Sequence, residues 1–181
     1  MPSWISPRRK TEHMKNGMTA DAQALVHPIP PTWDKNSEVL ILGSFPSVKS
    51  REMAYFYGHP QNRFWKVMAA LFSEPVPQTV EERRSFLLRN HVAAWDVIAS
   101  CTIVGSSDSS IREARGNDIR PILSGAPIRK VFCNGRKAAE LYRRHIQPVT
   151  GIEAVCLPST SPANASWSME RLTAAWRQIL E

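Results

Sequence analysis

The chain has 181 residues, of which 43% are hydrophobic and 22% charged, and this ordinary globular usage excludes fibrous and disordered classes. Its length predicts one domain with a sizeable core. The net charge of +7 favours a polyanionic partner, most simply nucleic acid, although a merely basic soluble protein would show the same excess.

The beginning of the chain differs from the rest. Residues 1–23 are predicted to be a polar, flexible extension, and residues 24–181 a single domain. Neither a secretory signal nor a membrane-length apolar run is visible, so we expect an intracellular protein (cytoplasmic or nucleoid in a prokaryote) with no membrane partner. Cys101, Cys133 and Cys156 are far apart and lack C-x-x-C spacing, so we predict reduced, structural thiols rather than a metal site.

Four apolar runs have the length of β-strands and lack a polar face, which is typical of strands covered on both sides. They are Glu38–Leu42, Val92–Val97, Lys130–Cys133 and Glu153–Leu157.

Helix patterns alternate with these runs. Asn62–Phe72 carries Phe64, Met68, Leu71 and Phe72 at helical spacing. Further helices are predicted from a Thr79–Glu82 capping box to Asn90, over residues 136–145 with Ala139 and Tyr142 facing inward, and from a Ser168 N-cap onward.

This alternation predicts an α/β fold, a three-layer α/β/α arrangement with a central four-stranded, mainly parallel sheet. Functional loops in such folds leave the carboxyl ends of the strands. Here those loops are Gly43–Ser47, Asp96–Cys101, Asn134–Gly135 and Pro158–Ala165, whereas Gly105–Asn117 is the most loop-like internal segment.

These predicted walls are poor in acids and free of paired carboxylates. Two-carboxylate glycoside hydrolysis is therefore disfavoured, since Asp96 is the one acid next to a predicted strand end. A Ser-His-Asp hydrolase using Ser44, Ser47 or Ser159 with His59 is conceivable, but GSFPS is not a G-x-S-x-G elbow. No phosphate-binding glycine motif follows any strand.

What remains is a set of backbone amides, hydroxyls, side-chain amides and aromatic rings on a basic protein. Such a pocket suits an extrahelical nucleobase, because rings stack on its faces and amides read its edge. Breaking the glycosidic bond of that nucleotide needs a placed water and donors for the departing base. An Asn can hold the water through its side-chain oxygen.

Three motifs carry a family resemblance. Gly43–Ser47 (GSFPS), Gly58–Val67 (GHPQNRFWKV) and Leu157–Asn164 (LPSTSPAN) stand in this order after predicted elements. They resemble, respectively, the first motif of the uracil-DNA glycosylase superfamily, the HPxNRFWKV segment of its mismatch-specific members, and its DNA-inserting loop. The resemblance runs from about residue 36 to the C-terminus.

The departures from that pattern indicate a branch. Ser44 and Phe45 stand where other members carry an acid or amide, and Leu157 and Ser159 flank Pro158 where a His or Asn is usual. The combination resembles the hypoxanthine-DNA glycosylase branch. That resemblance implies deoxyinosine as substrate and assigns the catalytic Asn to Asn62.

The resemblance also implies roles for other positions. Asn62 would position the attacking water, Phe45 would stack on the base, and backbone amides near Ser44 would stabilise the departing base. The remaining base-pocket residues are Gly43, Tyr57, Asn134 and Ser159, and the DNA-binding residues are Ser47, His59, Ser161, Pro162, Ala163 and Asn164.

Several of these residues could instead have a purely structural role. Asn62 is also a good helix N-cap, and Phe45 and Tyr57 could simply fill the core. His59 could hold its own turn, and Asn134 precedes Gly135, where an Asn-Gly turn is expected.

Two charged features outside the motifs are interpreted separately. Asp108 is expected to fix its loop as an Asx turn rather than to act as an acid. The arginine pairs Arg112/Arg115 and Arg143/Arg144 could be solvated faces or part of a DNA track.

We therefore expect a monofunctional DNA glycosylase acting as a monomer on DNA that contains a deaminated base, with no metal and no organic cofactor. No lysine occupies an obvious Schiff-base position. The alternatives are a uracil- or mismatch-specific glycosylase of the same superfamily, or a non-catalytic nucleic-acid-binding module.

Overall fold

The computed structural model describes residues 22–181. Its strands are Gln23–Val26 (β1), Val39–Gly43 (β2), Val92–Asp96 (β3), Ile98–Ile103 (β4), Arg112–Gly116 (β5), Lys130–Asn134 (β6) and Ala154–Leu157 (β7). Its helices are Val48–Met53 (α1), Phe64–Phe72 (α2), Val80–Arg89 (α3), Arg120–Gly125 (α4), Arg136–His145 (α5), Gln147–Thr150 (α6) and Met169–Trp176 (α7). The predicted extension lies outside the described residues except at its end, where Gln23 already belongs to β1.

The four predicted strands form one parallel sheet in the order β3-β2-β6-β7. β2 is buried along its whole length, which explains its unbroken apolar sequence. Val39 and Ile41 pack in one apolar cluster, whereas Leu40 and Leu42 pack in the other. The sheet therefore has a core on each face, and the α/β prediction is confirmed.

The helices cover these two faces. Phe64, Phe86 and Leu172, from α2, α3 and α7, join the cluster of Ile41. Ile122 and Tyr142, from α4 and α5, join the cluster of Leu42. This is the predicted three-layer arrangement.

Three of the four predicted helix starts agree with the structure. Thr79 and Glu82 form the reciprocal capping box of α3, and Ser168 caps α7 by accepting a hydrogen bond from the Arg171 amide at 3.2 Å. α2 begins two residues later than predicted, after Asn62 and Arg63. Within residues 22–181, no helix is both long and apolar enough to span a membrane.

A second sheet was not predicted. It is antiparallel, in the order β1-β4-β5. Its middle strand, β4, follows β3 in the chain with Val97 as the single residue between them. β5 lies inside Gly105–Asn117, the segment expected to be a loop, so that expectation is wrong for residues 112–116. The reason is that β5 exposes Arg112 and Glu113 and carries a charged sequence (REARG) without an apolar face.

Strand register places several functional segments together. Gly43 is paired with Asp96, and Asn134 with Leu157, at the carboxyl edge of the parallel sheet. The segments that leave these residues consequently meet above this edge, where open α/β sheets bind their ligands.

Candidate active site

A cavity of about 510 Å³ opens at the carboxyl edge of the parallel sheet, within the range of roughly 300–1,000 Å³ usual for small-molecule sites. Its walls contain every residue predicted for the base pocket and DNA contact except Asn164. Those lining it are Gly43, Ser44, Phe45, Ser47, Tyr57, His59, Asn62, Asn134, Ser159, Ser161, Pro162 and Ala163. The three motifs, distant in the chain, thus form one site.

The first wall of the cavity is Gly43–Ser47, which begins where β2 ends. A Cβ atom on Gly43 would lie 2.3 Å from Asp96 Oδ1 and 3.3 Å from the Tyr57 hydroxyl, so these two side chains approach a bare backbone. The next residue, Ser44, is buried and donates its hydroxyl hydrogen to Asp108 Oδ1 at 2.8 Å. Glycine at position 43 is therefore required by close packing.

Phe45 is both a core residue and a cavity residue. It is 6% exposed, belongs to the cluster of Leu42, and lines the cavity. The His27 ring meets it edge-on at 5.8 Å, and the Arg51 guanidinium lies 5.8 Å from its centroid. Its ring is held from two sides, which is the rigidity that a stacking platform needs.

Ser47 has a structural role that the sequence did not reveal. It is the N-cap of α1, accepting a hydrogen bond from the Ser50 amide at 3.1 Å. Ser50, itself buried, accepts in turn from the Gly58 amide at 2.9 Å. These contacts tie the first wall to the turn that carries the second, while the contact of Ser47 with DNA stays a prediction.

The second wall is Tyr57–Asn62, and its first residue, Tyr57, has an unusual backbone conformation. Its φ is 52°, in the left-handed region that non-glycine residues seldom adopt. The ring stacks on Phe64 with centroids 3.9 Å apart, and the hydroxyl is buried with no hydrogen-bond partner among residues 22–181. Burial, aided by the charge of Asp96, raises the pKa of this hydroxyl, which keeps it protonated.

Asn62 lies one residue before Arg63, the N-cap of α2, so the N-cap role left open for Asn62 is wrong. Its Oδ1 accepts from the Phe64 amide at 2.9 Å, at the start of α2, and also from the Thr160 hydroxyl at 2.9 Å. The oxygen that the sequence suggested for holding water is thus engaged twice in this structure. Its Nδ2 has no hydrogen-bond partner in the described part of the chain.

His59 stabilises its own turn. Its Nδ1 accepts from the Gln61 amide at 3.1 Å, and its carbonyl accepts from the Asn62 amide at 2.9 Å. This is the structural role left open for it, and a phosphate contact stays a prediction.

Asn134 makes two side-chain hydrogen bonds to Thr160 in the third wall. Its Oδ1 accepts from the Thr160 amide at 3.0 Å, and its Nδ2 donates to the Thr160 hydroxyl at 2.9 Å. Thr160 is fully buried, and its hydroxyl donates a hydrogen bond to Asn62 Oδ1. The chain Asn134–Thr160–Asn62 runs between two motifs, and Thr160 is a site residue that we did not predict.

The third wall is residues 158–164, and the side chain of Arg63, which does not line the cavity, hydrogen-bonds to its backbone. Its guanidinium donates to the carbonyls of Ser161 at 3.1 Å and Asn164 at 3.0 Å, and also to that of Trp167. Its backbone amide donates to the Thr160 carbonyl at 3.0 Å. Sequence reasoning missed Arg63, because its partners are about a hundred residues away.

The same wall also has local hydrogen bonds. Ser159 Oγ accepts from the Ser161 amide at 3.1 Å, and Ser161 Oγ accepts from the Ala163 amide at 3.2 Å. Asn164 donates its side-chain amide to the Ser159 carbonyl at 2.9 Å, away from the cavity lining. Asn164 therefore shapes the loop rather than lining the cavity.

Two carboxylates line the cavity, so the expectation of walls free of paired acids is wrong. Asp108 was expected to fix its own loop as an Asx turn, but its side chain accepts from Ser44, sixty-four residues away. Burial raises the pKa of Asp108, and the negative charge of Asp96 raises it further. The hydrogen bond from Ser44 lowers the pKa and so offsets part of this rise.

Asp96 is the second carboxylate. It is 5% exposed, and its Oδ2 lies 2.7 Å from His27 Nε2. His27 comes from the residue after β1, a segment without any sequence motif. The arginine pairs Arg112/Arg115 and Arg143/Arg144 are exposed and do not line the cavity, so their part in a DNA track stays untested.

Comparison with known proteins places these features in a family context. The family model described as the uracil DNA glycosylase superfamily matches residues 30–180. A hypoxanthine DNA glycosylase of Methanosarcina acetivorans is 35% identical over 144 residues, which is 78% of this chain and 90% of the relative. One of the same name from Methanosarcina barkeri is 32% identical over 154 residues, covering 84% and 96% respectively.

The fold has a counterpart among solved structures. A solution NMR structure from Methanosarcina acetivorans, solved as a candidate uracil DNA glycosylase, matches with a TM-score of 0.71 and 32% identity. The match covers 87% of this chain and 100% of the other.

Proposed function

This chain belongs to the uracil-DNA glycosylase superfamily and is a DNA glycosylase, and we propose that the base it releases from DNA is hypoxanthine. One observation supports this above the others. All three motifs that indicated the hypoxanthine branch line a single cavity at the carboxyl edge of the sheet. Two relatives named hypoxanthine DNA glycosylase support the same substrate.

The burial of residues that line the cavity supports an extrahelical base. Phe45 and Ser44 are buried, and so is Asp96, at the carboxyl end of β3, the edge strand of the parallel sheet. A base stacked in a duplex could not reach these groups, so the nucleotide must rotate out of the helix. We expect the base to stack on Phe45, with backbone amides near Ser44 stabilising the departing ring.

Asn62 positions the attacking water in this proposal. The water adds to the cationic sugar, and its surplus proton passes to solvent while the departing base takes one up from solvent. What the water needs from the protein is therefore orientation, and a neutral amide oxygen supplies it by accepting a hydrogen bond without taking the proton. Asn62 Oδ1 becomes available when the Thr160 hydroxyl rotates away, a motion that a hydroxyl makes without moving heavy atoms. The hydrogen bond from the Phe64 amide would keep the oxygen in place meanwhile.

The reaction is monofunctional in this proposal. Among the described residues, no lysine lines the cavity, so no side-chain amine is placed to attack the sugar and form a Schiff base. Water is then the nucleophile, and the products are the free base and an abasic site in an intact strand.

The test is a base-release assay. Oligonucleotides bearing deoxyinosine, deoxyuridine or deoxyxanthosine are incubated with excess enzyme, and the abasic strand is cleaved with alkali. We expect release from deoxyinosine to be the fastest. Release of uracil alone, the activity suggested by the candidate uracil DNA glycosylase structure, would contradict the proposed substrate.

Two substitutions of Asn62 test the water. Asn62→Ala should abolish release while DNA binding, measured by fluorescence anisotropy, stays close to that of the wild type. Asn62→Asp keeps the acceptor oxygen and loses the Nδ2 donors, so it should retain more activity than Asn62→Ala. Equal loss in both variants would show that the donors, and not the oxygen, are required.

A further inference from the structure

The proposed reaction develops a positive charge that the residues assigned so far do not balance. When the glycosidic bond breaks, its electron pair leaves with the base and the sugar becomes a cation. Asn62, which holds the water, is neutral, and Phe45 is apolar. Among the described residues that line the cavity, the acids are Asp96 and Asp108, so a counter-charge from the cavity wall must come from one of these two.

The two acids lie at different depths in the cavity. Asp96 is buried at the carboxyl end of β3, and Phe45, on which we expect the base to stack, is buried as well. Asp108 is exposed, in the short 3₁₀ turn Asp108–Ser110. A nucleotide that rotates out of the duplex enters base first and stays joined to the DNA through its sugar. The base therefore reaches the level of Phe45, and the sugar stays nearer the mouth, at the level of Asp108.

Asp108 is fixed in the cavity wall before any substrate binds. Its Oδ1 accepts a hydrogen bond from the Ser44 hydroxyl at 2.8 Å, and the Ser44 carbonyl in turn accepts from the Ile98 amide at 3.1 Å. At the end of the same turn, the Ser110 hydroxyl oxygen accepts from the Val104 amide at 2.9 Å. Asp108 Oδ2 receives no hydrogen bond from any described residue, so this oxygen is open to a ligand.

The charges around Asp108 suit it to the role of a counter-ion. Although solvent reaches it through the open cavity, burial among the cavity walls raises its pKa, and the charge of Asp96 adds to this rise. The Ser44 hydrogen bond and the positive charge of Lys137 lower the pKa, and Tyr57 nearby stays protonated and uncharged. A carboxylate that is solvated less well than in water gains more from a cation formed beside it.

We propose that the carboxylate of Asp108 lies against the sugar of the flipped nucleotide and stabilises the sugar cation by its charge. This inference rests on the proposed function and adds a catalytic residue to it. Asp108 forms no bond to the sugar. The electron pair of the glycosidic bond leaves with the base, water adds to the anomeric carbon, and both proton exchanges are with solvent.

The test separates charge from shape at the position of the sugar. One duplex carries a neutral tetrahydrofuran abasic site, and the other a pyrrolidine abasic site whose protonated nitrogen takes the place of the anomeric carbon. The Kd of each duplex is measured by fluorescence anisotropy near neutral pH at one salt concentration, and the ratio of the two affinities is taken for each protein. Neither site holds a base, so the ratio is independent of which base the enzyme releases.

Asp108→Asn is the informative variant, because it keeps the shape of the side chain and an oxygen for Ser44 but removes the charge. Asp96→Asn is the matched control, since it removes the same charge from the buried part of the same cavity. We expect the wild type to prefer the pyrrolidine duplex and Asp108→Asn to lose about 10-fold of that preference, as for one partly desolvated ion pair. In Asp96→Asn the preference should stay within about threefold of that of the wild type.

The pH dependence of base release gives a measurement that a merely structural role would not change. If the ionised carboxylate is required, single-turnover release by the wild type falls as the pH is lowered through the pKa of Asp108. Asp108→Asn should be at least about 10-fold slower near neutral pH and should not show this fall. Asp96 and His59 also line the cavity, but both proteins contain them, so the difference between the two profiles belongs to Asp108.

Three results would overturn the proposal. Equal affinity of the wild type for the two duplexes would show that no negative charge acts at the sugar. An equal loss of preference in Asp108→Asn and Asp96→Asn would assign the effect to the overall charge of the cavity. Release that becomes faster as pH falls, in the wild type and not in Asp108→Asn, would make Asp108 an acid. Should Asp108→Asn not fold, Asp108→Ser replaces it with the same expected loss.

Failure of the substrate assignment would remain distinguishable. A wild-type enzyme that releases uracil and not hypoxanthine contradicts the proposed substrate alone, because the sugar cation forms in the release of either base. Conversely, a protein that releases hypoxanthine but binds the two duplexes equally contradicts the role of Asp108 alone.

Discussion

Arg63 is expected to hold the third wall of the cavity in place, and replacing it should show how much that wall depends on one side chain. Its guanidinium donates to three backbone carbonyls in residues 161–167, and its backbone amide to a fourth. Arg63→Met keeps most of the apolar stem and removes the three side-chain hydrogen bonds. The backbone contact is unaffected.

The magnitude follows from those bonds. A hydrogen bond to a charged group contributes about 1.5–3 kcal/mol, but three bonds from one guanidinium are not additive. The Arg63 Nε is also buried without a partner among the described residues, which offsets part of the gain. We therefore expect Arg63→Met to lower the free energy of unfolding by about 3 kcal/mol, equivalent to roughly 6–12 °C in Tm for a chain of this size.

Thermal and urea unfolding measure this loss, and Arg171→Met is the matched control. Arg171 also lies near this loop, but it is exposed, bonds a single carbonyl of Ser166 at 3.2 Å, and covers the Trp167 ring. Its removal should change stability by no more than about 0.5 kcal/mol. Equal Tm values for the two variants would refute the assignment of Arg63 as the residue that holds the loop.

Activity gives a second measurement. Below the melting transition, Arg63→Met should release the base at least about 10-fold more slowly, because Ser159, Ser161 and Ala163 would no longer form a fixed wall. A variant that loses stability but keeps the wild-type rate would show that the wall is not needed for catalysis.

Three more changes test individual contacts. Gly43→Ala brings a Cβ to 2.3 Å from Asp96 Oδ1, so it should reduce single-turnover release by about 100-fold, and a rate near that of the wild type would mean that Asp96 can move away freely. Tyr57→Phe removes a buried hydroxyl without a partner in residues 22–181, so urea unfolding should show unchanged or slightly higher stability, by up to about 1 kcal/mol, and a clear loss would reveal a hidden partner. The raised pKa of Asp108 means that the folded state binds the carboxyl proton more tightly than the unfolded state, so ionisation of Asp108 lowers the free energy of unfolding as pH rises. The free energy of unfolding of Asp108→Asn relative to that of the wild type should therefore increase from about pH 4 to about pH 8. A difference between the two proteins that does not change with pH would contradict the raised pKa.

The parallel sheet was predictable because burial on both faces leaves a direct trace in the sequence. Val39–Gly43 is apolar at nearly every position, which is typical of a strand covered on both faces. The antiparallel sheet leaves no such trace. β1 is mostly exposed, and β5 consists of charged and small residues, so its pairing with β4 depends on backbone hydrogen bonds that any sequence can make.

The site shows the same division. Gly43–Ser47, Gly58–Val67 and Leu157–Asn164 were found because each motif is contiguous in the chain. The parts that His27, Asp108 and Arg63 play in the site were not predicted, because each depends on a partner 64 or more residues away. Even Asn62, which lines the cavity, has neighbours that only the folded chain reveals: the Thr160 hydroxyl donates a hydrogen bond to the oxygen on which its predicted role depends.

The position of His27 has a practical consequence for anyone trimming this protein. The residues that match the family begin at position 30, three residues after His27 and beyond the end of β1. A fragment cut to residues 30–180 would keep all three motifs and the whole parallel sheet. It would nevertheless lack the imidazole that orients Asp96 and supports the edge of Phe45. Family boundaries drawn from shared sequence would here divide an active site from part of its own support.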